Sequence, residues 1–122
     1  SLFDNVLILR VMYPISGDGD KRCLISKLKN YKMTHVIPSC ATVLPDLLPK
    51  LTTLLETKSC GIVNFVNKGA MTPNEILHVV DQHDALPVSA GLDHYCRLMN
   101  VGRLEKIVGS VNRLSHALQA MV

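Results

Sequence analysis

The sequence predicts an α/β fold built on a parallel sheet that is covered by helices. Two apolar runs, residues 6–13 and 61–67, are nearly unbroken and contain several β-branched side chains, as do strands that are buried on both faces of such a sheet. Segments with helical periodicity lie between and after these runs, which predicts the element order β-α-β-α-β-α-α. At 122 residues the chain is one domain or less.

The first strand is "VLILRVMY" (6–13), and the loop 14–20 ends it. Asp20 is a suitable N-cap for a helix over 21–32, in which leucines and Tyr31 form one apolar stripe. Five cations cluster in that segment: Lys21, Arg22, Lys27, Lys29 and Lys32. A solvated helix face explains them, and a phosphate-steering patch is the alternative.

The middle of the chain predicts a short extended piece at 34–38, held out of a helix by Pro38, and then a helix over 42–56. Its leucines follow the i, i+3, i+4, i+7 spacing of a core-facing helix. We expect Thr42 to be the N-cap, with Pro45 in the first turn and Pro49 bending the helix.

A strand-to-helix corner, residues 64–77, follows the second apolar run. Lys68 and Gly69 form its turn, and "TPNE" (72–75) is a capping box with proline at the first helical position. The helix should run to residue 83. Such a corner can bind an anion, but its single glycine in "NKGAMT" matches no phosphate-loop motif, so a structural corner is the favoured interpretation.

The rest of the chain predicts a loop over 84–99 and two short helices, at 100–109 and 112–122, with Gly109 ending the first. Composition excludes several classes of function. The formal charge of +3 is too weak and dispersed for a nucleic-acid protein, and no apolar run approaches a membrane span. The four cysteines and five histidines lack metal-site spacing, and no nucleophile has an identifiable base.

Three stretches together carry a family resemblance: "LILRVMYPIS", "LISKLKNYKMTHVIPSCATVLPDLLP" and "GIVNFVNKGAMTPNEIL". In order and spacing they resemble the later part of the bifunctional epimerase/reductases that make nucleotide-linked rhamnose. These are extended short-chain dehydrogenase/reductases, related to dTDP-4-dehydrorhamnose reductase. The resemblance covers residues 3–80 well and implies a single partial domain over residues 1–122. That domain would hold the last strands of a Rossmann-type sheet plus a substrate-binding lobe.

The resemblance also implies site residues. Pro14, Ile15 and Ser16 would face the nicotinamide of NADP(H), and Asn67 and Lys68 would face the sugar substrate. The family's glycine-rich cofactor turn and its Tyr-x-x-x-Lys pair do not occur in this sequence. We therefore expect no catalytic residue, no metal and no cofactor for this chain alone, and NADP(H) only where the N-terminal half is present.

The resemblance implies an NADPH-dependent nucleotide-sugar epimerase/reductase of rhamnose biosynthesis, acting on a dTDP- or UDP-4-keto-6-deoxyhexose. The four scattered cysteines, with no secretory signal in the sequence, predict a cytoplasmic protein. The expected partner is the missing Rossmann half or another protein chain, with a homo-oligomer as a further possibility. Two departures, at Met12 and at 94–96, replace residues that the family uses near the substrate. The alternative is a non-catalytic regulatory or scaffold protein built on the same fold.

Overall fold

Four short strands form two parallel pairs in the computed structural model, which describes residues 5–17, 24–25, 37–81 and 98–121. Strand β1 (Leu7–Arg10) pairs with β4 (Gly61–Asn64), with Ile8 opposite Ile62. Strand β2 (Pro14–Ile15) pairs with β3 (Thr42–Val43). The predicted α/β fold with parallel strands is confirmed.

The helices of the described residues are α1 (Leu44–Glu56), α2 (Pro73–Asp81), α3 (Gly102–Val108) and α4 (Leu114–Met121). Proline occupies the first turn of α1, as predicted, and the helix continues past Pro49 to Glu56. The predicted helix 21–32 is described only at Leu24 and Ile25, which are helical. The predicted loop 84–99 lies outside the described residues up to residue 97.

The predicted N-cap of α1 is wrong. Thr42 belongs to β3 and is fully buried, and Val43 takes the cap position without a side-chain hydrogen bond. The Thr42 hydroxyl donates to the carbonyl of Phe65 at 2.7 Å and accepts from the Met12 amide at 3.2 Å. A buried hydroxyl must be paired, and here it joins the segments that follow β1 and β4 instead of the helix start.

The corner forms as the sequence predicts. The Thr72 hydroxyl accepts from the Glu75 amide at 3.2 Å, and the Glu75 carboxylate accepts from the Thr72 amide at 3.0 Å. This reciprocal pair is a capping box, and Pro73 is the first residue of α2. Gly109 ends α3 with φ of 87° and ψ of −171°, a backbone conformation essentially restricted to glycine, which also confirms its predicted role.

Two apolar clusters hold these elements together. One lies around β2, β3, α2 and α4, and its largest fully buried members are Ile15, Val43, Leu114 and Leu118. The other lies between the β1–β4 pair and helices α1 and α3, and its fully buried members are Leu47, Leu54, Val63 and Leu104. The β1–β4 pair is thus covered by helices on one face.

The second face of the β1–β4 pair differs from the prediction of strands buried on both sides. Ile8 is 48% exposed and Ile62, opposite it, is 46% exposed, while Val63 on the covered face is fully buried. Val6 and Val11 are also exposed. Val6 is in phase with Ile8 along the strand, so we call Val6, Ile8 and Ile62 the open sheet face. No described residue covers it.

Candidate functional site

The residues predicted to meet cofactor and substrate follow the carboxyl ends of β1 and β4. Because these strands are parallel, both ends lie at the same edge of the sheet, and ligands of α/β sheets bind outside that edge. Strand β3 connects the two predicted groups. Val43 lies opposite Ile15 in the β2–β3 pair, and its amide donates to Oδ1 of Asn67 at 2.9 Å.

The predicted cofactor segment begins next to an unusual backbone conformation. Tyr13 has φ of +43°, a region that non-glycine residues rarely adopt and that occurs preferentially at functional sites. Pro14 is exposed, Ile15 is fully buried and Ser16 is half-buried. The segment therefore presents Pro14 and Ser16 to the surroundings while Ile15 anchors it in the core. Its contact with nicotinamide stays a prediction.

Asn67 is fully buried and every polar atom of its side chain is paired within the chain. Its Oδ1 accepts from Val43, and its Nδ2 donates to Oδ2 of Asp46 at 2.8 Å and to the carbonyl of Asn112 at 3.1 Å. Asn112 Nδ2 donates to the other Asp46 oxygen at 2.8 Å. This cluster fixes the position of Lys68 next to it, and a direct substrate contact by Asn67 stays a prediction.

Lys68 is half-buried and has a charged partner. Its Nζ lies 2.8 Å from Oε2 of Glu105, which also accepts from the Val111 amide at 2.9 Å. The Lys68 hydrogen bond, followed by that of the Val111 amide, lowers the pKa of Glu105 below its ordinary value. The role of Lys68 on the substrate side stays a prediction.

A small open pocket adjoins Lys68. Its volume is about 100 Å³, well below the roughly 300–1,000 Å³ of sites that enclose a whole small ligand. It is lined by Lys68, Gly69, Ala70, Met71, Arg113, Leu114 and Ser115. We call it the Lys68–Arg113 pocket. Sequence reasoning missed Arg113, because it lies in no motif and reaches Lys68 only through the fold.

The described residues contain no group of three or more His, Cys, Asp or Glu side chains that could hold a metal ion. Among the helices of this part of the chain, none is long and apolar enough to cross a membrane. Cys40 and Cys60 are not disulfide-bonded, and Cys23 and Cys96 lie outside the described residues.

Sequence comparisons relate the chain to enzymes of rhamnose biosynthesis. No protein-family model matches it. Over 78 residues it is 42% identical to a trifunctional UDP-glucose 4,6-dehydratase/UDP-4-keto-6-deoxy-D-glucose 3,5-epimerase/UDP-4-keto-L-rhamnose-reductase from Arabidopsis thaliana, a match that spans 63% of the chain and 12% of that protein. It is also 38% identical over 78 residues to the bifunctional dTDP-4-dehydrorhamnose 3,5-epimerase/dTDP-4-dehydrorhamnose reductase of the same plant, spanning 63% of the chain and 26% of that enzyme.

Solved structures share the fold over nearly the whole chain. The UDP-rhamnose synthase from Acanthamoeba polyphaga mimivirus superposes with a TM-score of 0.86 at 25% identity, covering 98% of the chain and 46% of the synthase. The dTDP-4-dehydrorhamnose reductase from Bacillus anthracis, solved with NADP, gives 0.66 at 16% identity, covering 96% and 47%. The chain thus spans under half the length of these relatives.

Proposed function

We propose, from its homology with the C-terminal part of UDP-rhamnose synthases and dTDP-4-dehydrorhamnose reductase-like proteins, that this chain is the substrate-binding part of an NADPH-dependent nucleotide-sugar epimerase/reductase. The substrate class is a dTDP- or UDP-linked 4-keto-6-deoxyhexose. The observation that carries the proposal is the superposition on a UDP-rhamnose synthase with a TM-score of 0.86 over 98% of the chain.

The chain's own residues would bind and orient in this reaction. Pro14 and Ser16 lie at the carboxyl end of β1, where backbone anchored by Ile15 can pass beside a nicotinamide. NADPH, when bound by the other half, would supply the hydride. Lys68 would approach the sugar nucleotide, because the buried side chain of the preceding Asn67 is anchored to Val43 and Asp46 and so fixes the backbone beside it. The residues that transfer the proton would come from outside this chain.

The unpaired edge of β1 supports the proposal that a partner supplies further strands. The carbonyls of Val6 and Arg10 accept from the amides of Gly61 and Phe65, both at 2.8 Å. Because neighbouring residues of a strand direct their backbone groups to opposite edges, Leu7 and Leu9 direct theirs away from β4. No strand of the described residues pairs with that edge. A Rossmann half would extend the sheet there and cover the open sheet face.

A scaffold function is the second candidate, and the contacts of Asn67 favour it. All of its side-chain polar atoms are used within the fold, as expected of a residue that serves stability. A regulatory or structural protein would keep this cluster and the open sheet face but bind no sugar nucleotide. Binding of the proposed substrate therefore separates the two candidates.

The test is NADPH oxidation with a UDP-4-keto-6-deoxyhexose. The chain alone should show no turnover above a heat-killed control, because a positioned proton-transfer group is worth about 10²–10⁴-fold in rate and the sequence lacks the family's Tyr-x-x-x-Lys pair. Co-expression with the N-terminal half of the mimivirus synthase should give a complex that oxidises NADPH. Turnover by the chain alone would contradict the proposed division of labour.

The matched variants in that complex are Lys68→Met and Lys50→Met. Lys50 lies on α1, outside the corner of residues 64–77. Loss of sugar-nucleotide affinity in the Lys68 variant alone would support the enzyme proposal. A stable complex that binds neither NADPH nor sugar nucleotide would overturn it in favour of the scaffold.

A further inference from the structure

A backbone bridge places two cationic residues opposite each other at the turn of the corner. Lys68 and Arg113 form a parallel bridge, in which the Lys68 amide donates to the carbonyl of Asn112 at 3.3 Å and the Leu114 amide donates to the carbonyl of Lys68 at 2.8 Å. Both residues line the Lys68–Arg113 pocket, so an anion in that pocket would lie close to two positive charges.

Internal neutralisation is incomplete. Glu105 pairs with Lys68 and uses the same oxygen to accept from the Val111 amide. The Arg113 side chain, in contrast, has no ion pair or hydrogen bond to any described residue, and no acidic side chain lines the Lys68–Arg113 pocket. Of the two cations, Arg113 remains available to bind a ligand.

The pocket walls suit a compact oxyanion. Gly69 has φ of +87°, and a Cβ at this position would lie 3.6 Å from Nη1 of Arg113, so the turn backbone runs close beside the guanidinium. Ser115, in the first turn of α4, adds a hydroxyl, and that turn contains no acidic residue. Arginine binds phosphate oxygens through paired N–H donors. A volume of about 100 Å³ is too small to enclose a whole nucleotide, so we expect a single phosphoryl group to enter it.

We propose that the Lys68–Arg113 pocket binds a phosphoryl group of an anionic ligand, with Arg113 as the main contact. This deepens the proposed function at Lys68, since a nucleoside diphosphate carries such a group. Inorganic phosphate offers the same chemistry and is the other source. The ligand group that the pocket recognises has three or more oxygens on a small tetrahedral centre. Recognition requires neither a nucleobase nor a sugar.

The experiment is a titration of the full 122-residue chain followed by backbone-amide NMR, at constant ionic strength in chloride. The three probes are inorganic phosphate, uridine diphosphate and uridine. Amide shifts at Gly69, Ala70 and Ser115 are expected with both phosphate-bearing probes and not with uridine. If uridine diphosphate binds more tightly than inorganic phosphate, the phosphoryl group belongs to a nucleotide. If the two bind equally, the ligand is free phosphate. Similar shifts with uridine would overturn the proposal.

Three variants separate a specific site from general charge attraction. Arg113→Gln should weaken phosphate binding by about tenfold or more, whereas Lys106→Gln removes the same charge from the exposed surface of α3 and should leave it unchanged. Ser115→Asp should abolish binding while preserving the fold, because a carboxylate in the first turn of a helix is stabilising. Equal weakening by the two glutamine variants, or unchanged binding in Ser115→Asp, would overturn the proposal.

The titration measures neither NADPH binding nor turnover, so its outcome is independent of the reconstituted reaction. Phosphate binding without turnover would leave the pocket established and the reductase proposal rejected. Turnover without any amide shift at Ser115 would support the reductase proposal and reject the phosphate site.

Discussion

Lys58 adopts a backbone conformation that its side chain disfavours. It lies just beyond the C-cap of α1 with φ of +52°, and its amide closes the helix by donating to the Leu55 carbonyl at 3.1 Å. The left-handed conformation costs a non-glycine residue about 1–2 kcal/mol. Glycine avoids this cost. It loses more conformational entropy on folding, which lowers the free energy of unfolding by about 0.5–1 kcal/mol.

Lys58→Gly should therefore raise the free energy of unfolding by about 0.5–1 kcal/mol, measured by urea denaturation. The control is Lys106→Gly, an exposed position within α3, where glycine should lower stability by about 1 kcal/mol. If both variants lose stability to the same degree, the conformation of Lys58 is not strained.

Glu105 should make stability depend on acid pH. Its pKa is lowered from 4.5 by the Lys68 hydrogen bond and the Val111 amide. A carboxylate with a lowered folded-state pKa contributes stability that is present above the unfolded value and is lost as the pH falls through the folded value. The loss due to this residue should thus occur below pH 4.5.

Glu105→Gln should flatten the decline in unfolding free energy below that pH, measured by urea midpoints at pH 3 to 6, roughly the range in which carboxylates titrate. Glu56→Gln is the control, because Glu56 is exposed at the end of α1. An unchanged acid limb in Glu105→Gln would show that the Lys68 pair does not form in solution.

At the scale of elements, helix α2 begins with the capping box that the sequence predicts. Thr72→Ala leaves the Glu75 amide without its partner and should lower the free energy of unfolding by about 1 kcal/mol. Thr72→Ser keeps the hydroxyl and should stay near the wild-type value. A denaturation midpoint unchanged in Thr72→Ala would mean that solvent replaces the cap without cost.

The whole molecule leaves apolar surface and a strand edge uncovered among its described residues. Two paired strands are marginal in water, and an unpaired apolar edge promotes association. The chain expressed alone should therefore self-associate, as measured by size-exclusion chromatography with light scattering. A partner that supplies the missing strands should replace this association.

The matched variants are Ile8→Lys on the open sheet face and Leu55→Lys on α1. Both residues are exposed, at 48% and 63%, but only Ile8 lies on the β1–β4 pair. Ile8→Lys should shift the chain toward monomer and Leu55→Lys should not. A cooperative wild-type monomer with protected amides in residues 6–13 would show that the chain closes its own sheet, and would favour the scaffold function.

The sequence by itself determined the features whose partners are close in the chain. The Thr72–Glu75 capping box spans three residues, Gly109 ends α3 through its own conformation, and Pro73 begins α2. The apolar runs likewise predicted strands β1 and β4, whereas β2 lies in the predicted loop 14–20 and β3 lies at the start of the predicted helix 42–56. These signals depend on local geometry, which holds in any fold that contains the segment.

Only the tertiary structure decided the role of side chains with distant partners. Thr42 was predicted as a cap but bonds the carbonyl of Phe65, 23 residues away. Asn112 reaches Asp46 across 66 residues, and Lys68 meets Arg113 only because a parallel bridge aligns them. A buried polar group takes whichever partner the packed chain brings to it. The candidate site is made of such pairs, so its chemistry became visible only once the chain was folded.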